Sequence, residues 1–283
     1  MMARILIALC AFVFLLHPGL SRAAVNETDK QLIQTLMRKS GLDKQLEQIP
    51  AMVQAEVEQT QQQQKVFPQS ELPNIKRLMA VAFDSKALND AVRAHIQTNM
   101  TGMDIEAALV WLNSPLGEKI TGLEEAASTP QAMAEMQSMA GGLAGNKARV
   151  EKLKRLDHAV QAIESNVRMA LNMQVAMTIA MTATMAPDQQ PSIDLIIQEV
   201  NKNNAQVRSM VAKEVLLSFL YTYRSLSDAE LDRYIAFAES AAGKKYGDVA
   251  TAAISDAMIN ACRKLGTLLG QDMKNWKKKS KEI

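Results

Sequence analysis

Apolar residues recur along this chain at helical spacing almost throughout. Leu32, Leu36 and Met37 fall on one face of a short segment that Gly41 ends, and Leu42, Leu46, Ile49, Val53 and Val57 line the next. Leu88, Val92 and Ile96 line another. Positions three, four and seven apart share a helix face, so each set predicts an amphipathic helix with one buried side. Alternating runs of β-branched residues, the mark of a half-buried strand, are missing. The pattern predicts an all-α protein of about ten helices with no β-sheet. Pro68 and Pro73 bracket a loop behind the Gln59–Gln64 polar tract, and Pro187 and Pro191 interrupt the second half in a similar way. Gly141-Gly142-Leu143-Ala144-Gly145 reads as a midpoint linker. The expected organisation is a unit over residues 24–145 and a second over 146–283, docked through a long central helix near 146–185.

The two units share a pattern. At a shift of 126 residues, Thr101-Gly102-Met103-Asp104 falls on Ser227-Asp228-Ala229-Glu230. A hydroxyl residue followed three positions later by an acid is a capping box: the hydroxyl accepts from a free N–H of the first helical turn, and the carboxylate reaches back. At the same shift Ile105 meets Leu231, Leu109 meets Ile235 and Trp111 meets Phe237. Ser114-Pro115-Leu116-Gly117-Glu118-Lys119 then meets Ser240-Ala241-Ala242-Gly243-Lys244-Lys245. The segment reads as a helix junction. Ser114 caps a new helix with Pro115 at its first position, where a missing N–H costs nothing. Gly117 and Gly243 permit the close approach of a neighbouring helix. Neither Gly-Lys pair has the upstream glycine of a phosphate-binding loop.

Trp111-Leu112-Asn113-Ser114-Pro115-Leu116-Gly117-Glu118-Lys119, behind its capping box, resembles the signature of bacterial exported proteins grouped as domain of unknown function 2059. Phe237-Ala238-Glu239-Ser240-Ala241-Ala242-Gly243-Lys244-Lys245 resembles a second, weaker copy that lacks the proline. The resemblance is dense over about 25 residues in each half. It implies a helical envelope domain with no assigned activity and brings no catalytic residues.

The N-terminus supplies the expected location. Arg4 precedes an uncharged apolar run from Ile5 to Leu16, His17-Pro18-Gly19 breaks it, and Ser21-Arg22-Ala23 offers the small residues that a signal peptidase reads. Residues 1–23 read as a cleaved signal peptide, with periplasm or secretion as the destination. The run is short of the about 20 apolar residues of a transmembrane anchor, and Cys10 lies inside it, where no lipoprotein cysteine belongs. The whole chain holds 32 Lys+Arg against 30 Asp+Glu. Arg4 and Arg22 leave with the leader and no acid does, so the mature chain is formally neutral. Its positive excess lies in a tail containing Lys274, Trp276, Lys277, Lys278 and Lys279. That tail is a candidate membrane-surface contact, with lysines against anionic headgroups and the indole at the interface. No basic patch on the body points to nucleic acid. Cys262 alone survives cleavage, so no intramolecular disulfide forms, and a buried small residue is expected there, with pairing between chains as the alternative.

Residues that could carry chemistry are few. Met169, Met173, Met177, Met181 and Met185 recur every four residues. Such a stripe is a core filled with adaptable side chains or an apolar groove for a partner. Met133, Met136 and Met139 have spacing suited to Cu(I), but no His or Cys lies near them. His95 and His158 stand alone, without metal-ligand spacing. No nucleophile elbow or S-x-x-K occurs, and Glu124-Glu125 reads as a solvated helix face. No catalytic residue, metal or cofactor is expected. The functional expectation is a non-enzymatic envelope binding or assembly factor for an envelope protein or apolar ligand. The alternatives are a carrier of lipid or another apolar molecule, which requires an enclosed cavity of several hundred Å³, and an unrecognised hydrolase, which requires convergent polar side chains in a cleft.

Overall fold

The computed structural model describes residues 27–65, 69–143, 146–182 and 189–279. The leader, Met185 and the Pro68 and Pro187 positions lie outside the described residues. All regular structure among the described residues is helical. In chain order the helices are α1 Glu27–Lys39, α2 Leu42–Gln64, α3 Leu72–Ala82, α4 Ser85–Asn99, α5 Gly102–Leu112, α6 Pro115–Ala127 and α7 Pro130–Leu143. They continue as α8 Lys147–Val160, α9 Ala162–Thr182, α10 Ile193–Asn201, α11 Asn204–Thr222, α12 Asp228–Glu239 and α13 Ala241–Lys279. The all-α expectation is met, with more helices among the described residues than expected. The glycine-rich midpoint stays helical further than expected: α7 runs through Gly141 and Gly142 to Leu143.

The long central helix expected near 146–185 is instead two helices. Gln161 takes a left-handed conformation at φ 49° and separates α8 from α9. Local hydrogen bonds hold the break together. Asp157 Oδ1 accepts from the Ile163 N–H at 2.9 Å, and Gln161 Nε2 donates to the His158 carbonyl at 3.0 Å. Groups that a helix end leaves without partners are thus satisfied on both sides. The longest helix is α13, with 39 residues. It packs on α9 and on α3, α4 and α5. Where α13 crosses α9, a Cβ on Gly266 would lie 2.4 Å from the Met177 carbonyl oxygen, so the two backbones meet directly.

The order of packing in the first part of the chain recurs in the second. Helix α1 packs on α2, α4 and α5, as α8 packs on α9, α11 and α12. Helix α2 packs on α3 and α4, as α9 packs on α10 and α11, and α5 meets α6 as α12 meets α13. The last helix of each series crosses to the other: α6 packs on α11 and α13 on α4. One apolar core therefore runs from Ile33 to Leu265 through both series. A small satellite of Ala127, Ala132, Met136 and Tyr221 lies under α7.

The paired junctions carry matching local devices. Thr101 Oγ1 accepts from Asp104 N at 3.2 Å while Asp104 Oδ2 accepts from Thr101 N at 2.9 Å. Ser227 Oγ accepts from Glu230 N at 3.2 Å while Glu230 Oε2 accepts from Ser227 N at 2.7 Å. Ser114 and Ser240 cap the next helices, taking the Gly117 and Gly243 N–H groups at 3.0 and 3.1 Å. A Cβ on Gly117 would sit 2.1 Å from the Trp111 carbonyl oxygen, and one on Gly243 2.0 Å from that of Phe237. Only glycine lets the chain turn back so tightly on the preceding helix. The two aromatics face each other: Trp111 and Phe237 stack with centroids 4.5 Å apart and planes 6° apart.

Candidate functional site

The Trp111–Phe237 stack leads into a cavity. Tyr234, one turn before Phe237, lies parallel to Trp111 at 6.2 Å, and Tyr223 meets Tyr234 edge-on at 5.6 Å. Phe219 packs beside Tyr223 at 5.6 Å. Beyond these rings lies a partly open cavity of about 540 Å³, walled by residues of the α1–α2 turn, the start of α2, α6, the α8–α9 break, α11, α12 and the first half of α13. His158 and Lys244 are exposed wall residues.

Glu124 is the chemical centre of this cavity. Tyr223 and Tyr234 both donate to Glu124 Oε1, at 2.8 and 3.0 Å. Glu124 is half-buried and lines this cavity. Burial pushes its pKa upward, the two phenol bonds oppose that, and neighbouring Glu125 adds to the rise. Burial and the nearby carboxyl push Tyr223 and Tyr234 well above the ordinary tyrosine range, so both remain neutral donors. Tyr246, hydrogen-bonded to Ser40, is also raised by burial. The solvated Glu124-Glu125 face expected from sequence is thus corrected in its first member. Glu125 does reach a cation, pairing with Lys44 at 2.5 Å, whereas Glu124 points inward because α11 and α12 cover it.

Two hydroxyls line the same space. Ser40 Oγ donates to the Met37 carbonyl at 3.2 Å. Thr251 is only 3% exposed, and its Oγ1 has no hydrogen-bond partner. Neither oxygen is hydrogen-bonded to a described His, Lys, Asp or Glu side chain.

The other sequence candidates fall as follows. Lys119 pairs with Glu230 at 2.7 Å, linking one junction to the other's capping box. That bond and the Ser227 contacts hold the Glu230 carboxyl down at about 2. Lys245 lies half-buried in the first turns of α13. Met169, Met173 and Met177 are buried between α9 and its neighbours and Met181 is half-buried, so they form core and not the open groove offered as one reading. Their burial follows from the direct backbone contact at Gly266. Met136 belongs to the satellite core while Met139 is exposed, so the copper-like spacing gathers no sulfur cluster. His95 Nδ1 lies 3.2 Å from Asp256 Oδ2. Cys262 is fully buried, its thiol pushed up to about 12 by desolvation. The backbone of Lys274, Trp276, Lys277, Lys278 and Lys279 continues α13, and their side chains lie outside the described residues.

Among the described residues no group of His, Cys, Asp and Glu could hold a metal ion, and no helix is long and apolar enough to cross a membrane. Compared with known proteins, the chain matches no family profile, no curated protein and no solved structure.

Proposed function

We propose that this is an exported, non-catalytic binding protein that takes a small, partly apolar molecule into the Glu124 cavity. One observation carries the reading: an aromatic-walled space of about 540 Å³ holds a half-buried carboxyl and a buried, unpartnered hydroxyl. Concave sites with mostly apolar walls and a few convergent polar groups are the usual form of small-molecule sites. The cavity favours the carrier over the assembly factor, since the Met stripe is spent on internal packing. The same proposal includes the leader at residues 1–23, a periplasmic or secreted destination, and kinship with domain of unknown function 2059. It also takes the two helical series to be related halves, on the strength of the recurring packing order and matching junctions.

The test is native mass spectrometry of the protein purified from the envelope. Ala159 lines the cavity and is half-buried, so Ala159→Phe narrows the space. The expected result is a bound small molecule on the wild type that is absent from Ala159→Phe. A wild-type protein recovered without any ligand, from envelope and whole-cell preparations alike, contradicts the proposal.

A second reading has its own observation. Ile193 and Leu195 on α10 are 58% and 52% exposed, and Ile197 on the same helix is also exposed. Ile193 and Ile197, one helical turn apart, form an exposed apolar edge for an envelope protein, and peripheral membrane contact through the basic tail would place it near one. Ile193→Lys with Leu195→Lys should release any partner that co-purifies with the wild type; an unchanged set of partners removes this reading.

A further inference from the structure

We infer that the Glu124 cavity selects an organic cation, a primary or methylated amine carried on an apolar body. This rests on the reading of the cavity as a ligand site and names the class of ligand. The first ground is an uncompensated acid. Both phenol bonds reach Glu124 Oε1, while Oε2 takes no hydrogen bond from a described residue and no described Lys, Arg or His pairs with this carboxylate. A carboxylate stripped of part of its hydration favours a nearby opposite charge, and an ammonium from a ligand supplies one.

The second ground is the walls. Tyr223, Tyr234, Phe219 and Phe237 stand around the same space, and the faces of aromatic rings attract cations while tolerating an apolar body. Third, Thr251 keeps a buried, unpartnered hydroxyl oxygen in the cavity lining. A hydroxyl oxygen accepts from an ammonium N–H, so a donor-rich ligand satisfies both it and Glu124. Glu239 also lines the cavity, with Lys244 and His158 as the exposed basic wall residues. An anionic ligand meets the opposite situation, because the two phenol donors are already committed to Glu124 and the carboxyl repels it.

The experiment is calorimetric titration of the purified chain with 4-phenylbutylamine and with 4-phenylbutan-1-ol, a neutral molecule of the same length. A charge-assisted bond exceeds a neutral one by about 1.4 kcal/mol, or about tenfold in Kd, so the amine should bind at least that much tighter. Glu124→Gln should remove the preference, bringing the ratio of amine to alcohol Kd close to one. Equal binding of both by the wild type overturns cation selection and leaves the ligand site standing. Binding of neither overturns both readings. Should Glu124→Gln lose its helical circular dichroism, the wild-type ratio of amine to alcohol decides alone.

Discussion

The helices that begin at Pro115 and Ala241 start from matching junctions and then diverge. Both follow a capped helix that ends in an aromatic, both are capped by serine, and both need glycine at their third residue. At the 126-residue shift, however, Glu124 of α6 stands opposite Ala250 of α13, and Tyr246 of α13 opposite Ile120 of α6. Tyr223 and Tyr234 correspond to Gln97 and Ala108. The counterparts Ala108, Ile120 and Ala250 are all buried apolar residues. What the two series share is the frame: caps, close glycine contacts and the order of packing. What they do not share is the chemistry: the carboxyl and the three phenols that line the cavity have no counterparts of their kind at the 126-residue shift.

The comparison breaks first, if it breaks at all, at the glycines. Gly117→Ala and Gly243→Ala each force a Cβ onto backbone, and each should cost about 3 kcal/mol, the upper range for overpacking, in chemical denaturation. Similar losses at both support equivalent junctions, and a loss near zero at either ends the equivalence. Next is the contact between the series: a double-mutant cycle of Trp111→Leu and Phe237→Leu should show coupling of about 1 kcal/mol for a stacked pair. Additive effects would mean that the rings merely lie side by side. Ser114→Ala and Ser240→Ala should each lose about 1 kcal/mol as helix caps, and clearly unequal values would show that one junction relies on other supports.

The gentlest change sharpens the difference between the series. The folded state holds the Glu124 proton more tightly than the unfolded chain does, because burial raises its pKa. Its contribution to stability is therefore greatest at low pH and declines as pH rises from the ordinary glutamate range through the raised value. Glu124→Gln removes that slope. Its Tm relative to the wild type should be higher at pH 8 than at pH 4, and a difference that does not vary with pH contradicts a buried, raised carboxyl.

The helices and both junctions were legible in the sequence because they rest on local rules: apolar spacing, a hydroxyl three residues before an acid, a serine before a glycine. The break at Gln161 was not, since nothing in its identity announces a left-handed residue, and Asp157 secures the break through a bond six positions along the chain. Glu124 was misread for a related reason. Beside Glu125 it has the look of a solvated pair, and the tyrosines that enclose it lie 99 and 110 residues away in sequence. The Met stripe offered both core and groove from spacing alone; the crossing of α13 over Met177 makes it core. Local devices are written locally, whereas the site depends on which distant helices meet.

The most direct test of the proposed ligand cavity is a crystal structure of the protein purified from the envelope without refolding. Glu124 should contact a bound small molecule that lies between the Tyr234 and Phe219 rings, while the region around Ala108 and Ile120 remains closed. A cavity filled by its own aromatic side chains, with Glu124 paired to a lysine of the chain, would contradict the account.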